Sequence, residues 1–278
     1  MPILDDHAHL SPAGRRADAV RQFKKAGGTH LMVSHMPYGL KPVLKRDDWR
    51  EEFEITCSLA EEARREAGVQ VFCLVGPYPV DLIDLSQRMG VKEAFQLMKD
   101  GVDVAAEMVS EGKAVGIGEV GRPHFPADPE IMHRSNEIMR YCFVRAKEVD
   151  CPVVIHSEHA NSSNLEEISR MAKDAGLRPE RVVKHYCGTL GGDWPTGGLS
   201  LSVLSTRDNV LSAIENKLNF MMETDFLDDP SRPGAVLALT TVPKRTKQLF
   251  EERIIDEKLW SLIHVERPRI AYGIDTSL

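Results

Sequence analysis

Long apolar runs are missing from this chain. Nowhere in its 278 residues does a stretch approach the roughly 18 apolar residues that cross a bilayer, so a helical membrane protein is excluded. Clusters of Lys and Arg are also missing. The net charge is −7, with no basic run to form an extended nucleic-acid track, so any polyanion must bind locally. The five cysteines (Cys57, Cys73, Cys142, Cys151, Cys187) are odd in number and show no CxxC spacing, which reads as buried reduced thiols. No internal repeat, low-complexity tract or Gly/Ser linker divides the chain, so residues 1–278 are expected to form a single domain. Met1-Pro2 leads directly into an apolar run, which leaves no room for a cleavable signal and predicts a cytoplasmic protein.

What the chain does have is a set of eight short apolar runs. They begin near Ile3, His30, Gln70, Lys113, Cys151, Arg181, Gly198 and Leu218. Apolar on both faces, they suit a parallel sheet covered by helices, and their spacing leaves room for one crossover helix each. Between them, Ile138, Cys142, Ala146 and Val149 mark one stripe of a helix that Pro152 ends. The stretches 37–65 and 81–111 read as extended exterior helices. Eight such units predict a (β/α)₈ TIM barrel.

Six metal-type ligands sit at or near the ends of these runs: His7, His9, Glu119, His156, His185 and Asp225. Polar residues at the exits of buried strands are how this barrel builds a catalytic floor. Four imidazoles and two carboxylates fit a pair of divalent cations, Zn²⁺, Mg²⁺ or Mn²⁺. Asp5, His7 and His9 alternate with Leu4, Asp6 and Ala8, so in a regular strand both histidines point into the barrel mouth with Asp5 beneath. Glu119 lies in Gly116-Ile117-Gly118-Glu119-Val120-Gly121, whose GxGxxG spacing is a weak signal by itself and, with a carboxylate in its midst, reads as a strand end and not as a phosphate loop. A strand-end Glu with two oxygens can bridge two cations. His156 and His185, on successive strands, read as neutral ligands of a second metal. Asp225 closes the last strand, beside the first in a closed barrel, where it can ligate the first metal and accept a proton from water. His35, Arg122, His124 and Glu158 are candidate substrate contacts. His159, Ser157 and Tyr186 are rim candidates, whereas His30, His133 and His264 read as structural or surface residues. Lys184 alternates with His185 and is expected to face the helices.

Taken in order, DDHAH, GIGEVG, PVVIHSE, HYCG and METD resemble the TatD-like metal-dependent hydrolases of the amidohydrolase superfamily, from the first strand to the C-terminal HVERPRIAYGID. The resemblance implies a first metal on His7, His9, Glu119 and Asp225, and a second on Glu119, His156 and His185. It also implies hydrolysis by metal-activated water, most directly as a phosphoesterase or deoxyribonuclease acting on a small molecule or nucleic-acid fragment. The chain departs from the family pattern twice. Arg122-Pro123-His124 stands where Leu-Asp-Tyr is usual, and Glu158 stands where an Arg is usual. A carboxylate repels phosphate, so Arg122 is the residue expected to restore the positive charge. The alternatives are a metal-dependent hydrolase of a carboxylic ester, lactone or amide, and a non-catalytic metal-binding protein.

Overall fold

The computed structural model describes residues 1–191 and 196–277. Each of the eight apolar runs forms a strand: β1 (Leu4–His9), β2 (His30–Ser34), β3 (Gln70–Val75), β4 (Gly116–Gly121), β5 (Val153–His156), β6 (Val182–Cys187), β7 (Ser200–Leu204) and β8 (Phe220–Glu223). A short ninth, β9 (Phe226–Leu227), follows directly. All pairs are parallel, in the order β8-β7-β6-β5-β4-β3-β2-β1-β9. Strand β8 breaks at Thr224-Asp225, where Asp225 adopts a left-handed φ of 50°, and the chain resumes as β9 against β1. Ala8 pairs with Phe226 and His9 with Leu227. The sheet thereby curls round on itself, and the fold is a (β/α)₈ TIM barrel.

Helices cover the outside. The segment Pro129–Glu148 shows why they form: Pro129 opens it, the Asp128 side chain caps it by accepting from the Glu130 amide, and Ile131, Ile138, Cys142 and Ala146 turn inward. Two exterior stretches differ from the sequence expectation. Residues 37–45 contain no helix, which runs instead from Arg46 to Ala67. The long 81–111 segment is two helices, Asp81–Met89 and Val91–Ser110, broken at Gly90, whose φ of 89° is unfavourable for other residues. Between β6 and β7 no helix occurs among the described residues.

Two apolar layers hold the fold. The outer one lies between strands and helices and includes Ala8, Val33, Ile117, Ile155, Leu201 and Met222. The inner one places Leu4, Met32, Leu74, Val154, Val183 and Met221 inside the barrel, packed on Ala271, Tyr272 and Ile274 of the C-terminal segment. This plug is worth about 1.5–3 kcal/mol per large side chain. It fills the barrel beneath the strand ends that carry the ligands.

Strand β1 does not keep simple alternation. Leu4 joins the inner layer and Ala8 the outer one, and the pairing with β2 shifts between Asp5 and Ala8. That irregularity lets Asp6 reach inward to Ser202 Oγ at 2.6 Å and Tyr272 Oη at 3.2 Å, while His7 and His9 still share the mouth. Asp5 braces the barrel closure from beneath, accepting from the Thr224 amide at 3.0 Å and Thr224 Oγ1 at 2.7 Å.

Candidate metal centre

Six side chains from four strands and one strand break meet at the mouth. One donor atom each from His7, His9, Glu119 and Asp225 falls within 4.8 Å of the others, and the same holds for Glu119, His156 and His185. Glu119 belongs to both groups. Its Oε2 lies 3.1 Å from His156 Nδ1, and its Oε1 lies 3.4 Å from His9 Nε2 and 3.6 Å from His185 Nε2. Asp225 Oδ1 stands 3.4 Å from His9 Nε2 and 3.8 Å from His7 Nε2. The strand break delivers this carboxylate: Asp225 donates its amide to the His7 carbonyl at 3.0 Å, so backbone pairing fixes the side chain beside its neighbours.

Glycines in β4 let Glu119 come this close to β5. A Cβ on Gly121 would lie 2.0 Å from the His156 carbonyl oxygen, and one on Gly118 would lie 2.8 Å from Val154 Cβ. The flanking glycines are thus needed for the approach of the neighbouring strand.

The donor set fits divalent cations. His185 Nδ1 is buried without a hydrogen bond and His7 Nε2 is buried against the Glu119 carboxylate, an arrangement that a cation would complete. Burial opposes a charge on Glu119, yet His185 and His7, with hydrogen bonds from His156 and His7, hold its carboxyl well below the usual range. Burial keeps His185 neutral, as a ligand must be. Burial also disfavours charge on His9, but hydrogen bonding to Asp225 and Glu119 carries its imidazole up to about 10. The negative potential that draws a proton there would equally draw a cation.

Around these groups lies a cavity of about 540 Å³, lined by His9, Glu119, His156, His185 and Asp225 with Met36, Pro37, Tyr78, His124, Ser157, His159, Tyr186, Leu227, Arg232 and Val236. His124 Nδ1 lies 2.9 Å from His156 Nε2, and Tyr78 Oη lies 3.4 Å from the same atom. Burial raises the Tyr78 phenol, which keeps its proton.

Three expected substrate contacts lie elsewhere. His35 is buried, its Nδ1 2.9 Å from Thr56 Oγ1, and it lines a neighbouring cavity of about 310 Å³ that shares Pro37 with the first. Burial pushes its imidazole down to about 3, so it stays neutral. Arg122 is committed: it donates to Glu158 at 2.9 and 2.6 Å, to Glu167 at 2.8 Å and to Asn136 at 3.1 Å. The carboxylate that would repel phosphate and the guanidinium meant to offset it neutralise one another outside the cavity. Lys184 is fully buried, with Nζ 2.6 Å from the His185 carbonyl.

Sequence reasoning passed over Tyr78, Arg232 and Glu223. Glu223 forms a third donor group with His7 and His185 and also accepts from Ser202 Oγ and the Tyr186 amide, both at 2.5 Å. Its place two residues before Asp225, and the place of Tyr78 just beyond β3, were visible signals. Arg232 lies in a loop that carries no pattern.

The description "TatD related DNase" names the family whose sequence profile matches residues 4–273. The chain belongs to the TatD family. An uncharacterized protein of Methanocaldococcus jannaschii is 36% identical over 281 residues, spanning 100% of this chain and 98% of that one. Among solved structures, a TatD homolog from Escherichia coli K12 superposes with a TM-score of 0.68 at 18% identity, covering 98% of both chains. A phosphotriesterase homology protein from Escherichia coli, complexed with phosphate in its active site, gives 0.66 at 13% identity, again over 98% of both. These two likenesses show a common fold, and the family membership supports a metal-dependent hydrolase. No described helix of this TatD chain is long and apolar enough to cross a membrane.

Proposed function

We propose that the protein hydrolyses a small phosphate ester with two divalent cations, one held by His7, His9, Glu119 and Asp225 and the other by Glu119, His156 and His185. The observation that carries this reading is the pair of donor groups sharing Glu119 at the floor of one cavity. Divalent ions bound there would supply Lewis-acid polarisation of the substrate and would lower the pKa of the attacking water. The chain's own residues do the rest. Glu119 ties the two groups together, and Asp225, 17% exposed at its side chain and facing the cavity, accepts the proton of the water. Tyr78 and His124, both against His156, present hydrogen-bonding groups beside the reacting centre. The phosphate in the active site of the similarly folded Escherichia coli protein supports the substrate class by analogy. A cavity of about 540 Å³ suits a nucleotide-sized ligand, so nuclease action would engage one strand end and not a duplex. Five free thiols fit action in the reducing cytoplasm.

A second reading, hydrolysis of a carboxylic ester or lactone, is favoured by the engagement of Arg122 with Glu158 and Glu167, which removes the expected phosphate arm. Purified protein loaded with Zn²⁺, Mn²⁺ or Mg²⁺, assayed against p-nitrophenyl phosphates, single-stranded oligonucleotides, esters and lactones, separates the two. Phosphate-ester turnover that falls about 10²–10⁴-fold in Asp225→Asn supports the proposal. Turnover of neutral esters alone replaces it with the second reading.

A further inference from the structure

Among the described residues lining the metal cavity, Arg232 is the one side chain with a permanent positive charge. It lies in the segment between β9 and the helix Thr241–Glu251. Asp229 holds its Nε at 2.8 Å, and the same residue accepts the Arg232 amide through its carbonyl at 3.1 Å. That grip fixes the root and the near edge of the guanidinium. Nη1 and Nη2 make no hydrogen bond among the described residues, so the far edge of the fork is free for a ligand. Arg232 and Tyr78 both line the cavity.

Arg122 offers a contrast. Its guanidinium is 5% exposed and meets two carboxylates and an amide, which leaves nothing for an incoming anion. Arg232, 59% exposed at its side chain, has a single carboxylate partner.

We propose that Arg232 is the specificity-determining residue of this site: its free guanidinium edge binds a non-reacting oxygen of a phosphate ester and so selects anionic over neutral substrates. The proposal rests on the hydrolase reading above and names the group that decides the substrate's charge. A planar fork suits two phosphate oxygens better than an ammonium does. The apolar remainder of the wall, Met36, Pro37, Leu227 and Val236, suits an uncharged leaving group.

The test compares wild type with Arg232→Ala and Arg232→Lys, each metal-loaded, on p-nitrophenyl phosphate and on neutral p-nitrophenyl acetate. Calorimetric binding of inorganic phosphate provides a readout independent of turnover. Arg232→Ala should weaken phosphate binding and raise KM for the phosphate ester by about 10–100-fold, the range of one charge-assisted hydrogen bond. The acetate parameters should stay within about twofold, and Arg232→Lys should recover part of the loss. Because the side chain is largely exposed, the melting temperature of both variants should match wild type. Unchanged phosphate binding in Arg232→Ala, or equal losses on both substrates, overturns the proposal. Failure of wild type to hydrolyse any ester overturns the hydrolase reading instead, and phosphate calorimetry still decides the role of Arg232.

Discussion

Glu119 is the residue on which the centre turns, because it is common to the donor groups of both proposed sites. Its carboxylate is buried among four imidazoles, and three of them, His185, His7 and His156, hold it ionised. Glu119→Gln keeps the volume but removes the charge and weakens the ligand, so two cations would face each other with less to bind them. Elemental analysis of the variant should find at least one metal equivalent lost, with most of the activity. Two full equivalents retained would show that the bridge lies elsewhere. Glu223 would then be the carboxylate to examine, since it reaches His185 Nδ1 at 3.7 Å.

At the scale of elements, the site depends on how closely β4 approaches β5. Gly121 sits opposite His156 with a φ of 142°, and an added Cβ would collide with the His156 carbonyl. Gly121→Ala therefore combines an unfavourable backbone conformation with a contact the neighbouring strand must yield to. It should cost about 1–3 kcal/mol or more and part Glu119 from His156. A thermal melt lowered by several degrees, with reduced metal content in the protein that does fold, is the expected result; wild-type values for both would show that the strands have slack.

A second element-scale effect sits at the start of the helix Asp81–Met89. Burial pushes the Asp81 carboxyl up to about 8, helped by the nearby Asp84 and Glu52. The folded protein thus keeps a proton that the unfolded chain releases near pH 4. The stability tied to this group is complete below that pH and is lost as pH rises towards 8. Asp81→Asn removes the loss, so its melting temperature should gain on wild type steadily between pH 5 and pH 8. A constant difference across that range would show that Asp81 titrates normally.

For the whole molecule, the ligands come from strands far apart in the chain, from His7 to Asp225, and meet only in the closed barrel. Cations that bind this constellation bind the folded state and not the unfolded one. At a hundredfold excess over Kd such binding adds about 2.7 kcal/mol, which for a chain of this size is roughly 5–10 °C. Chelation should lower the melting temperature by that order, and Zn²⁺ or Mn²⁺ should restore it. A melting temperature indifferent to metal would argue that the buried donors serve only structure.

What the sequence alone determined here follows from local chemistry. Short apolar runs become strands, their spacing allows crossovers, and six ligands at the exits of five of those strands mark the mouth of a barrel. The family likeness is legible for the same reason, because each motif is a few adjacent residues. Tertiary structure decided what adjacency does not encode. The shift within β1 depends on pairing with β2, and it turned Asp6 inward against simple alternation. The break at Asp225 that closes the barrel depends on β9 finding β1. Arg122, next to the bridging Glu119 strand in sequence, is claimed by Glu158 and Glu167 from other segments, whereas Arg232, in a loop without pattern, lines the cavity. A charge's partner is chosen by distance in space, and only the folded chain sets those distances.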